Sequence, residues 1–175
     1  ESTPKPTDGP DSELAALKDG EQKGALYMST HKSQDSLRFA SRDMTYSIHD
    51  NTMNARQVEY ILTADARILP NEEKVTIREE ASMDTLRKAK LIAGRDEKYH
   101  EIFNADIKVK SRNDYGGNGD YHYEDMNDDL QTIHFNEIGV DDSLQTIATG
   151  SIEETDSFNL SPYFGFAGDV ELEAR

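Results

Sequence analysis

The sequence predicts an all-β fold, elongated and built either as a rung-stacked β-solenoid or as a folded-over sheet. Three observations carry that prediction. Short runs of alternating apolar and polar residues, rich in Val, Ile, Tyr and Phe, recur along the chain. Turn clusters separate them at intervals of roughly 8–12 residues, the spacing expected of antiparallel β domains. Hydrophobic residues make up 35% of the chain and glycine adds 11 residues, short of the roughly 45–50% apolar usage of an ordinary globular domain. So sparse a supply of apolar side chains suits a narrow seam better than a wide core.

Residues 1–23 hold three of the five prolines and many polar residues, which is linker composition and predicts a mostly extended tail. Asp11 or Ser12 could cap a short helix over residues 13–18, marginal in water unless it docks. Residues 24–175 then read as a single β-rich domain. Residues 25–29 (ALYMS), 37–41 (LRFAS) and 44–48 (MTYSI) are short strands, and 54–62 alternates through Val58, Tyr60 and Leu62. Residues 66–69 enter the proline-led turn PNEE, and 74–78 (KVTIR) return from it.

Residues 82–94 carry a competing signal. Met83, Leu86, Ala89 and Ile92 recur every third residue, so a helix between a Ser82 cap and a Gly94 stop competes with a strand at 89–92. The β character of the neighbours favours the strand. Residues 99–103 and 106–110 then alternate again, and 120–124 and 131–135 read as the arms of a hairpin around the turn DMNDD. Further strands follow at 144–148 and 158–160, and the closing VELEA still alternates. An alanine enters a short strand in ADARI, AKLIA and ADIKV, a weak pointer to stacked rungs.

Charge divides the chain. The formal net charge is −16, and residues 113–175 hold 15 acidic residues against the single basic Arg175. Such a surface opposes nucleic acid, whose phosphates need Lys and Arg, and repels anionic membranes. No apolar run approaches the roughly 18 residues of a membrane helix. With no cysteine, disulfides, thiolate metal sites and cysteine nucleophiles are excluded. The chain looks like an internal piece of a longer protein.

Chemistry-bearing constellations are few. Tyr115, Tyr121, Tyr123 and Tyr163 concentrate aromatics in the acidic third, the pairing with which β domains hold sugars, against a plainer reading as cross-strand packing. Asp125, Asn127 and Asp129 have the odd-position spacing of a calcium loop, with Asp120 or Glu124 to assist. Leu130 and Asn136 stand where an EF-hand needs Gly and Glu, which rejects that motif. His122 and His134 could face one another across the hairpin as metal ligands, or be half-exposed imidazoles on a sheet. Gly116, Gly117 and Gly119 lack the lysine and the helix of a phosphate loop and read as a bend or bulge. No ordered acid–His–Ser framework is present, so no catalytic residue and no cofactor are expected.

The phrases QDSLRF, ADARILPNEEKVTI, LRKAKLIA, KYHEIFNADIKVKSRNDYGGNGDYHYED, QTIHFNEIGVD, LQTIATG and FNLSPYFGFAGDVELEA resemble, in order, a segment of very large envelope proteins of the Bacteroidetes group. The likeness implies an exported chain in the periplasm or at the cell surface. It implies partners among flanking segments of the same long chain or other envelope proteins. More distantly, the texture is similar to OstA-like lipopolysaccharide-transport proteins, whose folded-over sheet forms a lipid groove. The expected role is a non-catalytic structural or scaffolding segment, with a lipid- or glycan-binding module as the rival.

Overall fold

The computed structural model describes residues 24–94, 100–126 and 129–174. The tail and short helix expected within residues 1–23 lie outside them. The rest is all-β. Fifteen strands follow in order: β1 (Ala25–Met28), β2 (Arg38–Ser41), β3 (Asp43–Ser47), β4 (Thr52–Arg56), β5 (Ile61–Thr63), β6 (Ala66–Leu69), β7 (Lys74–Ile77), β8 (Leu86–Ala93), β9 (His100–Ser111), β10 (Asp114–Glu124), β11 (Leu130–Val140), β12 (Thr146–Ile152), β13 (Asn159–Ser161), β14 (Phe164–Gly165) and β15 (Gly168–Glu173). The only helical pieces among the described residues are short 3₁₀ turns of three residues.

Ten strands form one open antiparallel sheet in the order β1-β2-β5-β6-β8-β9-β10-β11-β12-β15, and β3-β4-β7 form a small second sheet. A two-stranded ribbon, β13-β14, stands apart. The chain leaves the large sheet at Ser41, whose Oγ lies 2.8 and 2.7 Å from the carbonyls of Asp43 and Arg56. That hydroxyl pins the start of β3 against the end of β4.

Alternation drives burial, with one recurrent interruption. Ala105, Ile107 and Val109 of β9 point inward at period two, but the preceding inward residue is Ile102, three positions back. β8 shows the same jump from Leu86 to Ala89, and β11 from Phe135 to Ile138. Each jump coincides with a register shift against a neighbour, so each is a β-bulge, an extra residue that lets the strand bend and keep its apolar side inward. Lys88 and Asn104 take the left-handed φ of 51° and 49° inside two of these jumps. Asp106 braces the β8 bulge: its Oδ1 accepts the Lys88 amide at 3.1 Å and its Oδ2 the Arg87 guanidinium at 2.8 Å.

These bulges account for a competing helical signal and for one departure from expectation. The period of three at Met83, Leu86 and Ala89 is the favoured strand and not the competing helix. Residues 86–93 form a single strand whose bulge spaces Leu86 and Ala89 by three. Likewise the two strands expected at 99–103 and 106–110 are one strand with a bulge at Asn104, Tyr99 lying outside the described residues. In the opposite direction, the run 54–62 is split into β4 and β5, because Gln57 adopts a left-handed φ of 54°.

A single apolar cluster runs through the large sheet. Ile61, Ile68, Leu91, Ile102 and Ile107 are fully buried in it, each contributing about 1.5–3 kcal/mol of transfer free energy. Strands that are not ladder neighbours are also joined. Thr63 Oγ1 donates to the Ser111 carbonyl at 3.0 Å, and Ala64 N–H to Arg112 O at 2.8 Å. Thr146 Oγ1 on β12 donates to Asp65 Oδ1 at 2.6 Å, from the turn between β5 and β6. The tip of the β5-β6 hairpin is thereby tied to the far half of the same sheet.

Candidate functional site

Two regions carry the features a binding site would need. The first is a cleft of about 440 Å³ between the edge of the large sheet and the small sheet. Its floor is Leu37, Phe39 and Met83, all buried, and its walls include Tyr27, Met28, Met53 and Ile77. The Tyr27 and Phe39 rings stack with centroids 5.8 Å apart at 23°. The polar side chains of the lining are Ser29, Thr30, His31, Gln34 and Glu80. The Gln34 amide donates to the Ala81 carbonyl and so fixes the 3₁₀ turn Lys32–Gln34 against the turn Glu79–Ala81. An apolar hollow of this size with few polar groups has the character of a small-ligand pocket. Three of the five methionines line it, and flexible thioether side chains adapt to occupants of varied shape.

The second region is the acidic third. The structure does not bring its four tyrosines together as one open face. Tyr115 is completely buried, because β10 alternates it onto the core side, and its hydroxyl lies 2.5 Å from Thr146 Oγ1. Burial pushes its phenol far above the ordinary value, so it is a neutral hydroxyl at every physiological pH. Tyr121 and Tyr123 follow on the same inward side, half-buried, packed on Phe135 and Phe158 at centroid distances of 5.9 and 5.3 Å. The Tyr121 hydroxyl lies 3.2 Å from His100 Nδ1. Desolvation raises the Tyr121 phenol and lowers the His100 imidazolium, disfavouring the charged form of each. Tyr163 alone stands open, 91% exposed in the turn between β13 and β14.

Of the residues expected at a calcium loop, Asp125 and Asp129 bond to one another between β10 and β11. Asp125 is buried, and its Oδ1 accepts the Asp129 amide at 3.1 Å while its own N–H donates to the Asp129 carbonyl at 3.1 Å. That carboxylate oxygen closes the β10-β11 turn, where a cation would compete with the amide for it. Asn127 lies outside the described residues. Among the described residues no group of three or more His, Asp or Glu could hold a metal ion. The two histidines of the hairpin do not face one another: His122 pairs with Thr132, and His134 with Asp120. His122 stacks on Phe103 at 4.2 Å, and His134 Nδ1 lies 2.7 Å from Asp120 Oδ1.

The glycines of β10 lie within the strand, where its pairing with β11 shifts register between Gly117 and Gly119 as the bulge reading expected, and they are also close-approach positions. A β-carbon on Gly117 would overlap the Asp106 carbonyl, and one on Gly150 of β12 the His134 carbonyl. Sequence reasoning missed the cleft and the buried Asp65–Thr146–Tyr115 chain. The cleft had a faint signal in the scattered methionines; the polar chain had none, since its members come from three distant strands or turns.

No family model, curated protein or solved structure matches the chain.

Proposed function

We propose that this chain is a non-catalytic structural segment of a large exported bacterial envelope protein, held in the periplasm or at the cell surface. The observation that carries the reading is the open ten-stranded sheet, whose terminal strands β1 and β15 each have one ladder edge without a strand partner among the described residues. An unpaired strand edge is a template for another strand. Neighbouring segments of a long chain continue such a sheet at either end. Of the two shapes the sequence suggested, the folded-over sheet is the one that the Asp65–Thr146 and Thr63–Ser111 bonds support. Amide hydrogen exchange tests the proposal. In the longer exported protein the outward amides of β1 and β15 exchange more slowly than in this chain alone; equal rates in both reject it.

A second reading has its own support, the apolar cleft beside β1. In it the segment carries one acyl chain, with the methyl end toward Leu37 and Met83 and the head toward His31 and Glu80. Calorimetric titration with laurate tests this. Met28→Asp, at a side chain already 55% exposed, abolishes binding if the cleft is the site, whereas unchanged binding removes the reading.

A further inference from the structure

Five of the large apolar side chains left exposed by the fold gather at one end of the molecule. Met126 (83% exposed) and Leu130 (65%) sit at the tip of the β10-β11 hairpin. Leu160 (49%), Tyr163 (91%) and Phe164 (70%) sit on the β13-β14 ribbon. The two hairpins are clamped together. Gln131 Nε2 donates to the Asn159 carbonyl at 2.6 Å, the Asn159 amide donates to Gln131 Oε1 at 2.7 Å, and Tyr123 Oη donates to the Leu160 carbonyl at 3.1 Å. Beneath the ribbon, Phe158 is buried against Tyr123. Leu130, Leu160 and Phe164 are therefore presented on braced strands, and Met126 and Tyr163 on the turns beside them.

On the described residues of these two hairpins and the turn between them, the charged side chains are all acidic. Glu124 and Asp129 flank the hairpin tip, and Glu153, Glu154 and Asp156 lie in the 3₁₀ turn leading to Phe158, with Asp156 and Gln131 lining one depression. From residue 113 to residue 174 there is no lysine or arginine to offset them.

We propose that this end of the molecule docks a protein segment with an apolar centre and a lysine- or arginine-rich rim. Contiguous exposed apolar surface rimmed by polar groups marks an interaction site. Tyr and Phe on a rigid hairpin are suited to anchor such a contact, and Met adapts to its partner. The acidic rim selects the partner's sign and speeds its approach. It excludes an anionic lipid surface, and it excludes the same patch of a second copy, because a two-fold contact would set acid on acid. A glycan is the poorer occupant. Sugars stack on aromatic faces, whereas three of the five side chains here are aliphatic. The inference does not depend on the envelope reading or on the cleft.

The test is an NMR titration of the isotope-labelled chain with three synthetic peptides, one of leucine and lysine, one of leucine and glutamate, and one of lysine without leucine, and with cellohexaose. The leucine–lysine peptide is expected to shift the resonances of Met126, Leu130, Leu160, Tyr163 and Phe164. Its affinity falls at least tenfold in Y163S/F164S and at high salt, and the leucine–glutamate peptide does not bind. Both substitutions are at exposed positions; should the pair alter the melting temperature, M126S/L130S gives the same reading from the other hairpin. Equal binding of the leucine-free peptide overturns the proposal, since charge alone then explains the contact. Shifts with cellohexaose in place of the peptides overturn it in favour of a glycan. Concentration-dependent shifts of the free chain that Y163S/F164S abolishes overturn it in favour of self-association.

Discussion

At the scale of single residues, the buried polar chain Asp65–Thr146–Tyr115 asks the most of its partners. Thr146 is completely buried, and its hydroxyl contacts both the Tyr115 hydroxyl and the Asp65 carboxylate. Asp65 Oδ2 is buried with no hydrogen-bond partner of its own, so Thr146 carries the satisfaction of that group. Tyr115→Phe removes one bond and keeps the ring, and is expected to cost about 1–2 kcal/mol in denaturant unfolding. Thr146→Val costs more, because it strands two groups, and a double-mutant cycle shows coupling between the sites. His100 gives a pH signature. Its folded-state pKa is lowered by desolvation, so the unfolded chain binds the proton more readily. Stability is full above the unfolded value of about 6.5 and declines as pH falls from there toward the folded value. His100→Gln removes that part of the pH–stability slope, and the His100 ring protons titrate by NMR with a midpoint below about 6.5. Alternation places Tyr115, Tyr121 and Tyr123 on one face in the sequence as in the structure. What alternation cannot say is which face the rest of the chain covers, and it covers this one.

At the scale of elements, strands were legible where period two ran unbroken, as in β6, and where short β-type runs stood between turns, as in β1, β2 and β7. Where a bulge intervened, the sequence showed two short strands for β9 and a helical rhythm for β8, since an extra residue imitates a period of three. The bulges are set by long-range fit, including the Asp106 side chain and the close approach at Gly117, which local pattern does not contain. Gly117→Ala tests that fit. The added methyl meets the Asp106 backbone, not the end of a flexible side chain, so β9 and β10 must separate. The expected cost is about 1–3 kcal/mol, read as a lower denaturant midpoint. Gly139, with nothing within 4 Å of its β-carbon position, is the control: its alanine variant escapes that clash.

At the scale of the whole molecule, the all-β class followed from composition and alternation, while the pairing order did not. β2 pairs with β5 and β12 with β15 across intervening strands, and the small sheet takes β7 from between β6 and β8. Such crossings are decided by the shared core. Charge asymmetry, by contrast, is fully a property of the sequence. The acidic third folds as β10 to β15 under its own repulsion. Raising ionic strength from a few millimolar to about 0.15 M shortens the screening length to about 8 Å and is expected to raise the melting temperature, measured by circular dichroism. No change would mean that the acids are too far apart in the fold to repel.

The bulges in β8, β9 and β11 have one more consequence, for how copies of this chain can join. Sliding an interior strand by two residues keeps its apolar side inward but carries its bulge away from the glycines at 117, 119 and 150, whose missing side chains make room for neighbouring atoms. The pairings from β8 through β12 are thus keyed to one position and make poor material for exchange between molecules or for the flat repeats of a fibril. The outermost pairings, β1 with β2 and β12 with β15, run without a single register shift. At these margins a further strand can add without meeting a bulge.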